Sequence, residues 1–159
     1  MSEMVKKHQI ALFLNKGTSS SAEWVRIKKS TAFDLQLNPE TQEYDYIADE
    51  SPTTELKKYK PSLSQSLTMY KGEPDYELVF DKFFNLKTGS DAKSEVLIVF
   101  YHEEDSEGTY KAWKNEAVMT ISDLNSVDST ITFDLNFGGN VEQGKASVSD
   151  EGVVSFIAD

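Results

Sequence analysis

The run "STITFDLNF", residues 129–137, alternates without a break. Ile131, Phe133, Leu135 and Phe137 fall on one side of an extended chain, and Thr130, Thr132, Asp134 and Asn136 on the other. Successive side chains of a strand point to opposite faces, so the pattern fits a strand with one covered face and one wet face. A helix, turning about 100° per residue, would scatter the same apolar positions around its cylinder. A lone strand is not stable, so the rest of the chain must supply neighbours.

It supplies many. Residues 8–14, "HQIALFL", read as a first strand, ended by the turn-like "NKGTSSSAE". "WVRIKK" puts Trp24 and Arg26 on one face and Val25 and Ile27 on the other. "TAFDLQL" alternates Phe33, Leu35 and Leu37 with Asp34 and Gln36, and "NPETQE" after it reads as a hairpin loop. In "SLSQSLTM" (62–69), Leu63, Gln65, Leu67 and Met69 share one face, while Ser62, Ser64, Ser66 and Thr68 share the other. "EVLIVFYH" (95–102) is apolar on both faces, so both are expected to be covered. "TYKAW" pairs back across "EEDSEG", and "EAVMTISDL" follows. Gly138–Gly139 mark a turn, and "KASVS" and "GVVSFIA" close the chain around a "DEG" turn at 150–152.

One segment has the other period. Residues 73–86, "EPDYELVFDKFFNL", place Tyr76, Val79, Phe80, Phe83 and Phe84 in a single stripe at helical spacing. Pro74 suits the first turn, and Glu73, Asp75 and Glu77 suit the positive end of the helix dipole. The stripe is expected to be core packing. The expected fold is therefore mainly β: a small antiparallel β-sandwich or barrel of about nine to ten strands with one α-helix packed on it, in a single domain spanning 1–159.

Charge and composition narrow the function. The formal charge is −11, and from residue 115 onward Glu116, Asp123, Asp128, Asp134, Glu142, Asp150, Glu151 and Asp159 face one base, Lys145. Such a field repels nucleic acid instead of gripping it. There is no cysteine, which excludes disulfides, thiolate metal sites and cysteine nucleophiles, and the only histidines are His8 and His102. The apolar part of the N-terminal stretch, "IALFL", is shorter than the core of a secretory signal, and no apolar run approaches the roughly 20 residues that cross a bilayer. The expectation is a chain made in the cytoplasm, with no membrane role.

A search for chemistry leaves little. His102, Glu103, Glu104 and Asp105 make the nearest thing to a metal-ligand cluster, and read better as a solvated hairpin tip. Ser19–Ser21 lack the G-x-S-x-G elbow and a basic partner, and "GTSSS" lacks the ending of a phosphate loop. Trp24 and Trp113 read as core or interface before they read as a sugar platform. The stretch "YDYIADESPTTELKKYKPS" (44–62) gathers four carboxylates, but it lacks the spacing and the glycine of a calcium loop. No enzyme activity and no cofactor are expected. Function is expected to lie in surfaces and assembly.

The order of features from about Trp24 to about Phe137 resembles the tail tube (major tail) proteins of long-tailed bacteriophages. The match is carried by the stretch 44–62, the return strand 63–69 and a helix of the "GEPDYELVFDKFF" type at 72–84. The resemblance implies a structural virion protein with no reaction. Its copies form hexameric rings stacked into a hollow tube, and neighbouring β-sandwiches join their sheets around a lumen that conducts DNA without specific binding. It implies assembly partners such as tape measure, tail terminator and distal tail proteins, location in the phage tail, and synthesis in the host bacterial cytoplasm. The extra C-terminal immunoglobulin-like domain of some relatives is expected to be absent. Flexible tail, contractile tail and bacteriocin-like particle stay open.

On that reading Tyr44, Asp45, Tyr46, Asp49, Glu50, Glu55, Lys57, Lys58, Tyr59 and Lys60 belong to a long inter-subunit or inter-ring loop. Acids of one copy would meet Lys57, Lys58 or Lys60 of the next. Ser62, Ser64, Ser66 and Thr68 face the lumen or a neighbour, and Asp123, Asp128 and Asp134 are candidate lumen acids. Residues 96–101 would have core on one side and a neighbouring subunit on the other. The competing readings are a carbohydrate-binding or adhesin-like β-sandwich, which needs an exposed aromatic platform, and a small hydrolase, which needs a constellation of nucleophile, base and acid.

Overall fold

The computed structural model describes residues 2–17, 20–31, 33–149 and 153–158, with the backbone alone at 139 and 140. Ser19, Ala32 and the turn expected at 150–152 lie outside the described residues. Ten strands and one α-helix are described: β1 (Ile10–Asn15), β2 (Trp24–Arg26), β3 (Asp34–Gln36), β4 (Pro39–Tyr44), β5 (Thr53–Tyr59), β6 (Ser62–Thr68), α1 (Pro74–Phe84), β7 (Lys93–Ser106), β8 (Thr109–Asn125), β9 (Thr130–Val148) and β10 (Val154–Ala158). The strand number matches the expectation, but the strands are partitioned differently. "TYKAW" and "EAVMTISDL" are one strand, β8, and "STITFDLNF" and "KASVS" are one strand, β9.

The chain therefore does not turn at Gly138–Gly139. β9 runs through both glycines, and its pairing with β8 slips between Lys114 and Glu116, with a second slip between Ile121 and Asp123. Such bulges bend and twist a strand without ending it, which lets two very long strands serve two different layers. The antiparallel sheet has the order β2-β1-β7-β8-β9-β6-β3. The first half of β9 pairs with β6 and the second half with β10.

The bending creates two cores. Leu12, Leu14, Val96, Ile98, Leu63, Leu67, Met119, Ile131, Phe133 and Leu135 pack with Val79 of α1 in the larger one. Ala11, Phe13, Leu97, Val99, Ala112, Ala146 and Val154 form the smaller one on the opposite face of β1 and β7. This explains why residues 95–102 are apolar on both sides. The second face is covered by β8, the far half of β9 and β10 of the same chain, not by the neighbouring subunit that had been expected. Gly144 makes this cover possible: a Cβ there would run into the Ile157 carbonyl oxygen and stand 2.8 Å from Cζ of Phe156.

One segment ties the two ends of the sheet together. β2 pairs with β1, and the Ile27 N–H continues that ladder to the Leu12 carbonyl. Two and four residues on, the Lys29 carbonyl and the Thr31 N–H bond to β6 at Thr68 and Ser66, and β3 completes the pairing. Helix α1 covers the crossing. Asp75, only 2% exposed, accepts the Lys28 N–H at 3.0 Å on one oxygen and the Tyr76 N–H at 2.8 Å on the other. It is a clamp as well as a partner for the helix dipole.

The apolar stripe of α1 is rotated from the expected one. Val79 is fully buried, with Tyr76, Leu78 and Phe83 against the larger core. Phe80 sits on the flank and Phe84 is 69% exposed. Together with Tyr76 these rings stack along the helix, at centroid spacings of 5.5 and 5.8 Å. The helix is closed two residues past Phe84 by Leu86, whose φ of 47° lies in the left-handed region. The Leu86 N–H bonds to the Phe83 carbonyl and the Lys87 N–H to the Lys82 carbonyl, the closure usually made with glycine.

Candidate functional site: a polar sheet face and an exposed arm

The outer face of β3, β6, β9 and β8 follows from strand register. Asp34 lies opposite Ser64, Ser64 opposite Asp134, and Asp134 opposite Thr120. The next row is Gln36, Ser62, Asn136 and Val118. Toward the other end, Ser66 meets Thr132 and then Asp123, and Thr68 meets Thr130 and then Asn125. Side chains directly opposite on paired strands share a face, so all of these point one way, while Leu63, Gln65, Leu67, Ile131, Phe133 and Leu135 point into the core. Ser64 donates its hydroxyl to Asp134 at 2.6 Å.

The face thus brings together the expected row Ser62, Ser64, Ser66 and Thr68 with Asp134 and Asp123. None of these positions on β3, β6, β9 and β8 carries lysine or arginine, but cations border the face: Lys93 of β7 stands opposite Val118 and pairs with Glu116 at 3.6 Å, and the Lys29 carbonyl accepts the Thr68 N–H. Asp128 is set apart at the β8–β9 turn. There Asn125 accepts the N–H groups of Val127 and Asp128 and donates to the Asp128 carboxylate at 3.0 Å. Asp34, Thr120, Thr132 and Asn136 belong to the face and were not singled out from sequence. Alternation had placed Asp34, Thr132 and Asn136 outward, but only the register shows that they are neighbours.

The stretch 44–62 is not a long loop. "NPETQE", expected as a hairpin turn, contributes most of β4, which pairs with β5 into a separate two-stranded arm. All of β5 is exposed, and none of the arm's residues belongs to either core. Its base is fastened by the Lys60 N–H to the Leu37 carbonyl at 2.9 Å, and by Asn38 Nδ2 to the Lys60 carbonyl at 2.9 Å and to Ser62 Oγ at 2.8 Å. Glu40 receives Lys60 at 3.3 Å and Lys58 at 3.8 Å. The hydrogen bond from Lys60, helped by the charge of Lys58, holds the Glu40 carboxyl below the usual glutamate range. At the far end Tyr44 and Tyr46 stack at 5.5 Å, Ile47 is fully exposed, and Asp45, Asp49 and Glu50 surround it in sequence.

The remaining candidates are dispersed. His102 stands edge-on to Phe100 at 6.1 Å, Asp105 pairs with Lys145 at 2.8 Å, and Glu103 and Glu104 are exposed. Among the described residues, no three acids or histidines gather closely enough to hold a metal ion. Trp24 packs on the smaller core, whereas Trp113 meets Phe100 edge-on at 5.7 Å on the opposite face of the sheet, so the two indoles do not form one platform. A cleft of about 820 Å3 lies between α1 and the β1 end. Its charges are matched, Lys87 with Asp81 at 2.7 Å and Lys93 with Glu116 at 3.6 Å. Burial lowers the pKa of Lys82 there, and its ammonium donates to the Asp91 carbonyl at 3.0 Å.

No family model and no curated protein sequence matches the chain. Solved structures do match its fold. The tail of an empty GTA particle, with C6 symmetry, superposes with a TM-score of 0.59 at 11% identity, over 86% of this chain and 96% of that one. The fold is one found in that tail. The tube-terminating cap of the anti-feeding prophage gives 0.55 at 13% identity, over 90% and 92% of the two chains. The sheath/tube terminator of an extracellular contractile injection system gives 0.54 at 11%, over 89% and 97%. The likeness is one of fold, and it agrees with the expected β-sandwich bearing one helix.

Proposed function

We propose that the chain is a structural protein of a phage-like tail tube. Its copies close into six-membered rings, and the rings stack into a hollow tube through which DNA passes. The observation that carries this reading is the outer face of β3, β6, β9 and β8, lined with hydroxyls, amides and the carboxylates of Asp34, Asp123 and Asp134, on a fold shared with a six-fold tail. A conduit for DNA needs a surface that offers phosphates few cationic partners and repels them with its own carboxylates. With lysine confined to the margins of the face, where Lys93 is paired with Glu116, the counterion-release drive for binding is weak, and no aromatic ring stands among the named positions for a base to stack on.

The role is non-enzymatic, and its natural partners are the components that start, measure and cap such a tube: distal tail, tape measure and terminator proteins. The location is the tail of a particle assembled in a bacterial cytoplasm. The open edges of β3 and β10 are where neighbouring sheets join by strand addition. Electron microscopy of the purified protein over a concentration series tests the proposal. Rings or tubes with six-fold symmetry are expected. A protein that stays monomeric at every concentration and salt would overturn it.

A further inference from the structure

Lys57, Lys58 and Lys60 were expected to receive the acids of another copy, yet Lys58 and Lys60 already embrace Glu40 of their own arm. Among the described residues no ion pair involves Asp45, Asp49, Glu50 or Glu55. The tip is therefore an apolar pair, Tyr46 and Ile47, amid uncompensated carboxylates, all of it outside the two cores. Apolar anchors inside a charged rim have the composition of a contact surface.

The chain also carries a matching surface. A cleft of about 500 Å3 lies between the turn Lys7–Gln9, the start of β1, β2 and the segment leading to β3. Lys7, Arg26 and Lys28 line it together with Ile10 and Phe33, and among the described residues no acid lines it. In a chain of net charge −11 this is a local inversion of sign. Arg26 is held in place: Nη2 donates to the His8 carbonyl at 3.2 Å, and the guanidinium lies 5.8 Å from the centre of the Tyr101 ring. Arg26 and Lys28 also border an adjoining cleft with Glu73 and Asp75, and there the Asp75 carboxylate is engaged by the Lys28 and Tyr76 N–H groups.

We propose that this cleft receives the acidic Tyr46–Ile47 tip of the arm of a second copy. The arm is rooted beside Gln36 and Ser62, at one end of β3 and β6, whereas the cleft borders Ser30, Thr31 and Gln65 further along β6. Donor and acceptor at different places on the molecule make a heterologous contact, the kind that propagates from copy to copy. The proposal rests on the tube reading for the existence of self-assembly and adds the surface that completes it.

Charge exchange tests it. Lys7→Glu with Lys28→Glu, and separately Asp49→Lys with Glu50→Lys, should each raise the concentration at which half the chain sediments as polymer by about tenfold or more. The variant carrying all four changes is self-complementary again and should recover most of the wild-type value. Assembly of the wild type should weaken between 0.1 and 1 M salt, as the screening length falls from about 10 to about 3 Å. Single-sided variants that polymerise normally, or a four-fold variant that stays as impaired as they are, would overturn the docking while leaving the tube reading intact. Failure of the wild type itself to assemble would overturn both. A labelled oligonucleotide that binds the wild type and is released by Lys7→Glu with Lys28→Glu would assign the cleft to phosphate and overturn the arm as its occupant.

Discussion

Replacing residues 39–59 by a two-residue Asn-Gly turn removes the whole arm and asks whether it serves the fold or the assembly. The backbone ends are already side by side, since the Lys60 N–H bonds to the Leu37 carbonyl at 2.9 Å. The arm contributes no residue to either core, so its removal costs no core burial. Shortening the connection roughly tenfold lowers its closure entropy by (3/2)RT ln 10, about 2 kcal/mol. The losses are the Glu40 ion pairs, which are exposed and worth little, and the Asn38 contacts to the Lys60 carbonyl and Ser62 if the new turn displaces them. The truncated protein should therefore unfold in urea at the wild-type midpoint or somewhat above it, with unchanged slope, and should sediment as a monomer where the wild type polymerises. A clear drop in midpoint would show that the arm supports the core. Normal polymerisation with an unchanged midpoint would show that the arm has no part in assembly.

Other substitutions probe single contacts. Gly144→Ala forces a Cβ against the Ile157 carbonyl and should cost about 1–3 kcal/mol, read by urea unfolding, with amide exchange fastest in β10. Asp75→Ala leaves the part-buried Lys28 N–H without its acceptor and should cost about 1 kcal/mol in the same assay. Leu86→Gly relieves a left-handed leucine that is almost wholly exposed and should gain about 1 kcal/mol. Because its folded-state pKa is depressed, Glu40 supports the arm at neutral pH, and that support fades as pH falls through the depressed value. A carbon-detected titration should place the Glu40 midpoint below the usual glutamate range, and Lys60→Ala should move it back upward.

Much of the fold was legible because period is a local property. The two-fold alternation of residues 129–137 and 62–69 appears in space with the same residues inward. The both-sided apolarity of 95–102 correctly announced two covered faces, although the cover comes from the chain's own β10. "NPETQE" misled because a polar, proline-led strand in an arm exposed on both faces carries no hydrophobic alternation to read. The glycine pair at 138–139 misled because glycine serves bulges as well as turns. The aromatic stripe of α1 misled in phase. A stripe of five large residues is wider than the surface one short helix buries, and Asp75 claims part of the buried side through two backbone amides.

The candidate face divides in the same way. Sequence alone determined that Ser62, Ser64, Ser66 and Thr68 share one side of a strand, that Asp134 points away from Phe133 and Leu135, and that the last third of the chain is acidic. Those statements need only the strand period and a count of charges. Which strands lie side by side was decided by tertiary structure, because pairing joins residues as distant as Ser64 and Asp134 through hydrogen bonds that leave no local trace. The same holds for the segregation of charge. A net −11 says nothing of where Lys7, Arg26 and Lys28 gather, and only the crossing of the 24–36 segment over the sheet brings them round one cleft.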